Sequence, residues 1–396
     1  MPDTYVIREG SRSILSPTEI STGFLHEHAV SLIWLARPSQ HLRIIHTVQY
    51  GWCLLSSKYG GVGGGTELHP KQIGLGGNNG STIVGALIGN QKNLSWNTRN
   101  GIQNANYYGS ITQSTTVHLG WDGENQVYIP FNKILPMVNP NDIIINGWDI
   151  NNLNIYEAML RAKVFEPELI EKLRPFTESI TPMPSIYYPD FIASNQSDRV
   201  NNLISGTTKK EHLIQIRKDI RKFKETHMLD SVIVLWTANT ERYTDIQDGL
   251  NKTADEILNA IENNHDEISP SNIFAVASIL EGAHYINGSP QNTLNPGIIE
   301  LAERHGVFIG GDDFKSGQTK IKSVLIDFLV SSGIKPQSIV SYNHLGNNDG
   351  KNLSEQKQFK QFEQDNEGSC AARVVNEMFG LYVVSIHHYQ YFRKIL

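Results

Sequence analysis

Short apolar runs alternating with amphipathic stretches are what most narrows the fold of this chain. Between residues 74 and 359, apolar runs of strand length recur at 143–148, 232–236, 274–279, 307–309 and 338–341. Helical patterns lie between them. Leu213, Ile216, Ile220 and Phe223 share one face of a basic segment. Ile321, Val324, Leu325, Phe328 and Leu329 form a stripe at helical spacing that Gly333 and Pro336 stop. Strands alternating with helices predict an α/β fold with a mainly parallel sheet and right-handed crossovers. The flanks lack this order. Residues 1–73 show no sustained period and are not expected to form a domain. Residues 360–396 mix charge (Lys360, Glu363, Asp365, Glu367) with an aromatic end (Tyr389, Tyr391, Phe392).

Composition removes several classes of function. The chain has 396 residues, with 34 Lys+Arg against 40 Asp+Glu. A net charge of −6 argues against a nucleic-acid partner, which calls for a basic surface. The 39% hydrophobic and 19% charged content is that of a globular chain. No run of eighteen apolar residues occurs, so no membrane span is expected, and the first ten residues lack the layout of a secretory signal. Two cysteines, Cys53 and Cys370, exclude a disulfide scaffold and a cysteine zinc site, and a reducing cytoplasm is the expected compartment. No histidine or aspartate pair stands at metal spacing, so no dedicated metal site is expected. The basic segment 209–224 reads as a solvated face over an apolar stripe.

Residues 74–82 form a glycine-rich string, with Gly74, Gly76, Gly77 and Gly80 around Asn78 and Asn79. Ser81 and Thr82 open an apolar helical stretch at 83–88. Glycines let backbone approach a pyrophosphate, and a helix N-terminus offers free N–H groups and positive dipole. The spacing is one residue longer than the usual dinucleotide fingerprint. That fingerprint also needs a buried strand before it, and residues 66–73, with Pro70 and polar neighbours, do not read as a central one. On these residues alone the string is either a cofactor turn or an ordinary loop.

Polar groups close the strand runs, where ligands of α/β sheets bind. Asp149 ends one run, Thr237, Ala238, Asn239 and Thr240 end the next, and Gly288, Ser289 and Asp313 follow later ones. Each singly is equally a turn or a cap. Residues 310–320 then open a helix, and Ser316 and Gln318 suit either a phosphate cradle or an N-cap beside solvated lysines. It is not a Walker A loop, since Gln318 stands where the lysine belongs. Asn343, His344, Asn347, Asn348 and Asp349 either orient a polyhydroxylated ligand or make an Asx-rich turn.

Taken together, residues 74–82, 105–110, 147–152, 184–191, 235–243, 287–293, 315–320 and 341–350 resemble the myo-inositol-1-phosphate synthase (inositol-3-phosphate synthase) family in motif, order and spacing. The resemblance spans residues 74–359. It implies a Rossmann-like NAD-binding domain over 74–318 and the start of an α+β tetramerisation and catalytic domain over 319–359. Residues 1–73 and 360–396 diverge. The implied activity is NAD-dependent conversion of D-glucose 6-phosphate to 1D-myo-inositol 3-phosphate, by oxidation at C5, closure of C6 onto C1 and return of the hydride. By the same resemblance Gly76, Gly77, Asn78 and Asn79 hold the NAD pyrophosphate and Asp149 the adenosine ribose. Ser185, Ile186, Thr237, Ala238, Asn239, Thr240, Gly288, Ser289, Asp313 and Asn348 line the cofactor. Ser316, Gly317 and Gln318 take the substrate phosphate, Asn347, Asn348 and Asp349 face cofactor or sugar hydroxyls, and Asn347 and Asp349 are the catalytic candidates. The partners implied are glucose 6-phosphate and, as a homotetramer, the chain itself.

The chain departs from the family at both ends. The family's hydrophobic strand ahead of the glycine turn is not recognisable in residues 1–73. Its active-site lysines fall here on Phe362 and Asn366, and two further catalytic lysines have no counterpart. Two readings follow: a synthase by lineage, present as a partial version with ends from alternative exons or sequence not normally coding, or a catalytically impaired NAD-binding subunit that interferes with assembly. The length of the shared motifs and the glycine spacing disfavour an unrelated dehydrogenase.

Overall fold

The computed structural model describes residues 68–108, 110–134, 138–313, 317–335, 340–342 and 384–386. Its sheet is built on β1 (Leu68–Ile73), which pairs in parallel with β6 (Asn146–Asp149) on one side and β8 (Ser231–Trp236) on the other. Outward from β6 lies β7 (Met183–Pro184), and outward from β8 lie β9 (His284–Asn287) and β10 (Ile309–Gly310). Every pair in this six-stranded sheet is parallel. From the β7 edge the order along the chain is 3-2-1-4-5-6, that of a doubly wound dinucleotide-binding sheet. The strands after β1 run to one edge and then restart beside it. In sheets of this order ligands bind outside the carboxyl ends of the strands at such a reversal, which here lies between β1 and β8.

The expectation that residues 66–73 hold no central strand is therefore overturned. The β6 ladder begins at Lys71, past Pro70, so the missing N–H does not interrupt it. The polar neighbours are buried because distant residues satisfy them. Lys71 Nζ donates to the Asp219 carbonyl at 2.9 Å, 148 positions away, and lies 4.4 Å from the Trp148 ring centre. Gln72 Nε2 donates to Thr237 Oγ1 at 2.7 Å, 165 positions away.

Helices cover both faces. α1 (Asn78–Gln91), α2 (Ile155–Ala162) and α3 (Pro167–Thr177) pack Val84, Ile155, Met159, Leu169 and Leu173 around Leu75. On the other face α4 (Lys209–Thr226), α5 (Ala254–Glu262), α6 (Pro270–Leu280) and α7 (Pro296–His305) bury the larger core. Strand alternation serves both sides. Val232, Val234 and Trp236 of β8 join the α4–α6 core, whereas Ile233 and Leu235 pack with Ile83 of α1. The predicted basic helix is present, with Ile216, Ile220 and Phe223 buried.

Residues 274–279, expected as a strand, belong to α6. Every residue from Pro270 to Ile279 is buried, so no polar face marks a helical period. The start signal lies upstream, where Ser269 caps the helix in a reciprocal box with Asn272 and Pro270 takes the first position. Two antiparallel hairpins, β2 (Ser95–Thr98) with β3 (Gly101–Asn104) and β4 (Thr116–Trp121) with β5 (Gln126–Pro130), precede β6. α8 (Gly317–Ser331) carries the predicted stripe, with Ile321, Val324, Leu325 and Phe328 exposed. β11 (Val340–Tyr342) pairs in parallel with β12 (Val384–Ile386). No helix among the described residues is long and apolar enough to cross a membrane.

Candidate functional site

The turn after β1 is held by a short list of backbone bonds. Gly74 N and Leu75 N both donate to the Trp148 carbonyl, at 2.8 and 3.1 Å. Gly76 N donates to Asp149 Oδ2 at 2.9 Å, and Gly77 N to the Gly74 carbonyl at 2.9 Å. The first bond of α1 runs from Ser81 N to the Gly77 carbonyl. The N–H groups of Asn78, Asn79 and Gly80 are thus left without a partner among the described residues, and Gly77 at the N-cap has no side chain to supply one. Three free donors and the positive end of a fourteen-residue helix stand in the turn that follows β1. Ser81 and Thr82 do not add hydroxyls to this set. Ser81 Oγ donates to the Gly77 carbonyl and Thr82 Oγ1 to that of Asn78, both at 2.7 Å.

Two glycines are sterically obligatory. Gly74 has φ +80°, and a Cβ there would lie 2.7 Å from Ala238 Cα. A Cβ on Gly80 would lie 2.2 Å from the Gly74 carbonyl oxygen.

Asp149, at the carboxyl end of β6, is 4% exposed. Burial raises its carboxyl above the ordinary carboxylate range. The N–H of Asn151, the charges of Arg199 and Arg161 and the N–H of Gly76 pull it back. Arg161 Nη2 also donates to the Gly76 carbonyl at 2.5 Å, and Arg199 Nη1 to Gln196 Oε1 at 3.0 Å. Neither arginine stands out in the sequence. α2 and the 3-10 turn Ser194–Arg199 bring them to Asp149, and no local signal announces it.

Among the described residues, the candidates that follow β8 and β9 stand at the same carboxyl ends of the sheet. Thr237 N and Oγ1 both donate to the Ile73 carbonyl, at 3.0 and 2.9 Å, joining the ends of β8 and β1. Ala238, Asn239 and Thr240 follow it, each half-buried. Gly288 N donates to the Trp236 carbonyl at 3.0 Å, and Ser289 Oγ to that of Ala238 at 3.0 Å. Asn287, which opens the motif 287–293 without standing out as a site residue, donates from Nδ2 to the Ser289 carbonyl and to Asp312 Oδ1. Burial pushes Asp312 up to about 7, and its neighbour Asp313, after β10, has φ 80°. At the β7 end the Ser185 backbone exchanges bonds with Asn202 and Ile204, whereas the Ile186 side chain is buried in the larger core. Gly317 and Gln318 begin α8. Ser316, Asn347, Asn348, Asp349, Phe362 and Asn366 lie outside the described residues.

Free N–H donors, a buried carboxylate at the end of the next strand and close-packed glycines suit a dinucleotide at this edge. Comparison with known proteins agrees with that chemistry. The model of an NAD-binding family described as myo-inositol-1-phosphate synthase matches residues 72–382. Inositol-3-phosphate synthase of Dictyostelium discoideum is 58% identical over 289 residues, 73% of this chain and 56% of that protein. Inositol-3-phosphate synthase 1-B of Xenopus laevis is 62% identical over 288 residues, 73% of this chain and 51% of that protein. The chain therefore spans about half the length of these relatives. The crystal structure of inositol-3-phosphate synthase from Caenorhabditis elegans superposes with a TM-score of 0.77 at 63% identity, covering 82% of this chain and 66% of that one. A synthase-related protein from Thermotoga maritima shares the fold at 18% identity, with a TM-score of 0.53. On its residues 72–382 this chain belongs to the myo-inositol-1-phosphate synthase family.

Proposed function

We propose that this chain acts in the NAD-dependent conversion of D-glucose 6-phosphate to 1D-myo-inositol 3-phosphate. The observation that carries the cofactor assignment is the triple of free N–H groups at Asn78, Asn79 and Gly80 beside the buried Asp149. Those donors and the helix dipole meet a pyrophosphate, and Asp149 accepts from the adenosine ribose hydroxyls. Thr237, Ala238, Asn239, Thr240, Gly288, Ser289 and Asp313 line the crevice toward the nicotinamide. Bound there, NAD supplies reversible hydride acceptance. Ser316, Gly317 and Gln318 are assigned to the substrate phosphate, Asn348 to the cofactor, and Asn347 and Asp349 to the sugar. A cytoplasmic homotetramer belongs to the same proposal, with the exposed stripe Ile321, Val324, Leu325 and Phe328 as surface that assembly would cover.

One observation favours a second reading. Phe362 and Asn366 occupy positions that the family resemblance assigns to lysines. Proton transfer and oxyanion stabilisation need such groups, and losing one costs about 10²–10³ in rate. The test is NAD titration of the chain by calorimetry, followed by measurement of inositol phosphate formed from glucose 6-phosphate. Binding with turnover supports the synthase. Binding without turnover moves the chain to the non-catalytic reading. No NAD binding overturns both.

A further inference from the structure

Arg161 lies in the last turn of α2. A basic residue there ordinarily serves the carbonyls of its own helix. This one leaves its helix, and its Nη2 bonds the Gly76 carbonyl, 85 positions away, at 2.5 Å. The flanking groups are fixed too, Gly76 N on Asp149 and Gly77 N on the Gly74 carbonyl. The Gly76 carbonyl has a particular place in the helix register. It stands four residues before Gly80, so it is the acceptor Gly80 N–H would take if α1 began one residue earlier. Arg161 bonds this carbonyl, Gly80 N–H does not, and the first helical bond runs from Ser81. The same guanidinium, with Arg199, is one of two positive charges facing the Asp149 carboxylate, which places positive field where an anionic ligand arrives.

We propose that Arg161 is a positioning residue for dinucleotide binding, holding the Gly76 carbonyl off the helix so that the Gly80 N–H stays free for the pyrophosphate. The proposal rests on assigning the glycine turn to NAD. The test uses the full chain with Arg161→Met and Arg161→Lys, titrated with NAD, ADP and adenosine. Losing a charge-assisted hydrogen bond predicts about ten- to hundredfold weaker NAD and ADP binding in Arg161→Met, with adenosine unchanged. Arg161→Lys, which keeps one donor and the charge, recovers part of that loss and stands in if the methionine variant does not fold. Equal weakening of adenosine would mean a general structural role and overturn the proposal. So would undiminished NAD binding in Arg161→Met, which would leave the cofactor assignment standing. Failure of the unsubstituted chain to bind NAD would overturn the assignment itself.

Discussion

Replacing Gly80 with alanine tests the glycine turn at its tightest point. The new Cβ would lie 2.2 Å from the Gly74 carbonyl oxygen and 2.5 Å from that of Leu75. Carbon and carbonyl oxygen come no closer than about 3.3 Å even in C–H···O contacts, so the first turn of α1 must move out by about 1 Å. The obstructing backbone cannot yield, because Gly74 N and Leu75 N are both bonded to the Trp148 carbonyl. Overpacking of this kind costs about 1–3 kcal/mol, against which the helix propensity of alanine returns about 1 kcal/mol. The net loss of about 0–2 kcal/mol lowers Tm by no more than about 8 °C. Affinity suffers more, since misaligning even one N–H that bonds a charged phosphate weakens NAD binding about ten- to hundredfold. Gly89→Ala in the same helix is the control. Its Cβ meets only Ala105 Cβ, at 3.9 Å, so it gains about 1 kcal/mol of stability and leaves NAD affinity unchanged. Calorimetric titration and thermal melts of both variants check this. Full NAD affinity in Gly80→Ala, or a loss in Gly89→Ala, would refute the steric reasoning.

Other perturbations address the charges. Asp149→Asn weakens NAD about tenfold or more by removing a charged acceptor. It also narrows the preference for NAD over its 2′-phosphorylated form, because Arg161 and Arg199 then face a neutral amide; an unchanged ratio of the two affinities would contradict this. Glu241 tests pH linkage. Burial holds its carboxyl up at about 7, against the pull of the Ser271 and Ser269 hydroxyls and the Ser271 N–H. Between the ordinary 4.5 and that value the folded chain binds more protons than the unfolded one, so stability falls as pH rises through the window. Glu241→Gln removes this share of the slope, at most about 1.4 kcal/mol per pH unit. Denaturant melts of both proteins across the window measure it, and parallel curves would dismiss the raised pKa. Lys71 runs the other way. Burial lowers it to about 7 despite the Asp219 charge, so the unfolded chain binds more protons above that pH and stability rises toward 10.5. Lys71→Met loses this rise, and the same melts at alkaline pH check it.

What the sequence made legible follows from where each signal resides. β8 and α4 announce themselves, because their apolar residues recur at strand or helix period within one segment. The rule that ligands bind at strand carboxyl ends picks out Asp149, Thr237 and Gly288, and the fold sets them at the ends of β6, β8 and β9. β1 escaped because Lys71 and Gln72 are satisfied by Asp219 and Thr237, far along the chain. α6 escaped for the opposite reason, being buried all round with no polar face. Arg161 and Arg199 became visible only when the fold carried them to Asp149.

If NAD binds as proposed, the first-turn N–H groups of α1 hold its pyrophosphate. The most direct measurement is a 1H–15N amide spectrum of the chain, selectively labelled at asparagine and glycine, during NAD titration. Saturable binding is expected, with the largest downfield shifts at Asn78, Asn79 and Gly80. Saturable binding that leaves those three amides unmoved would contradict that placement.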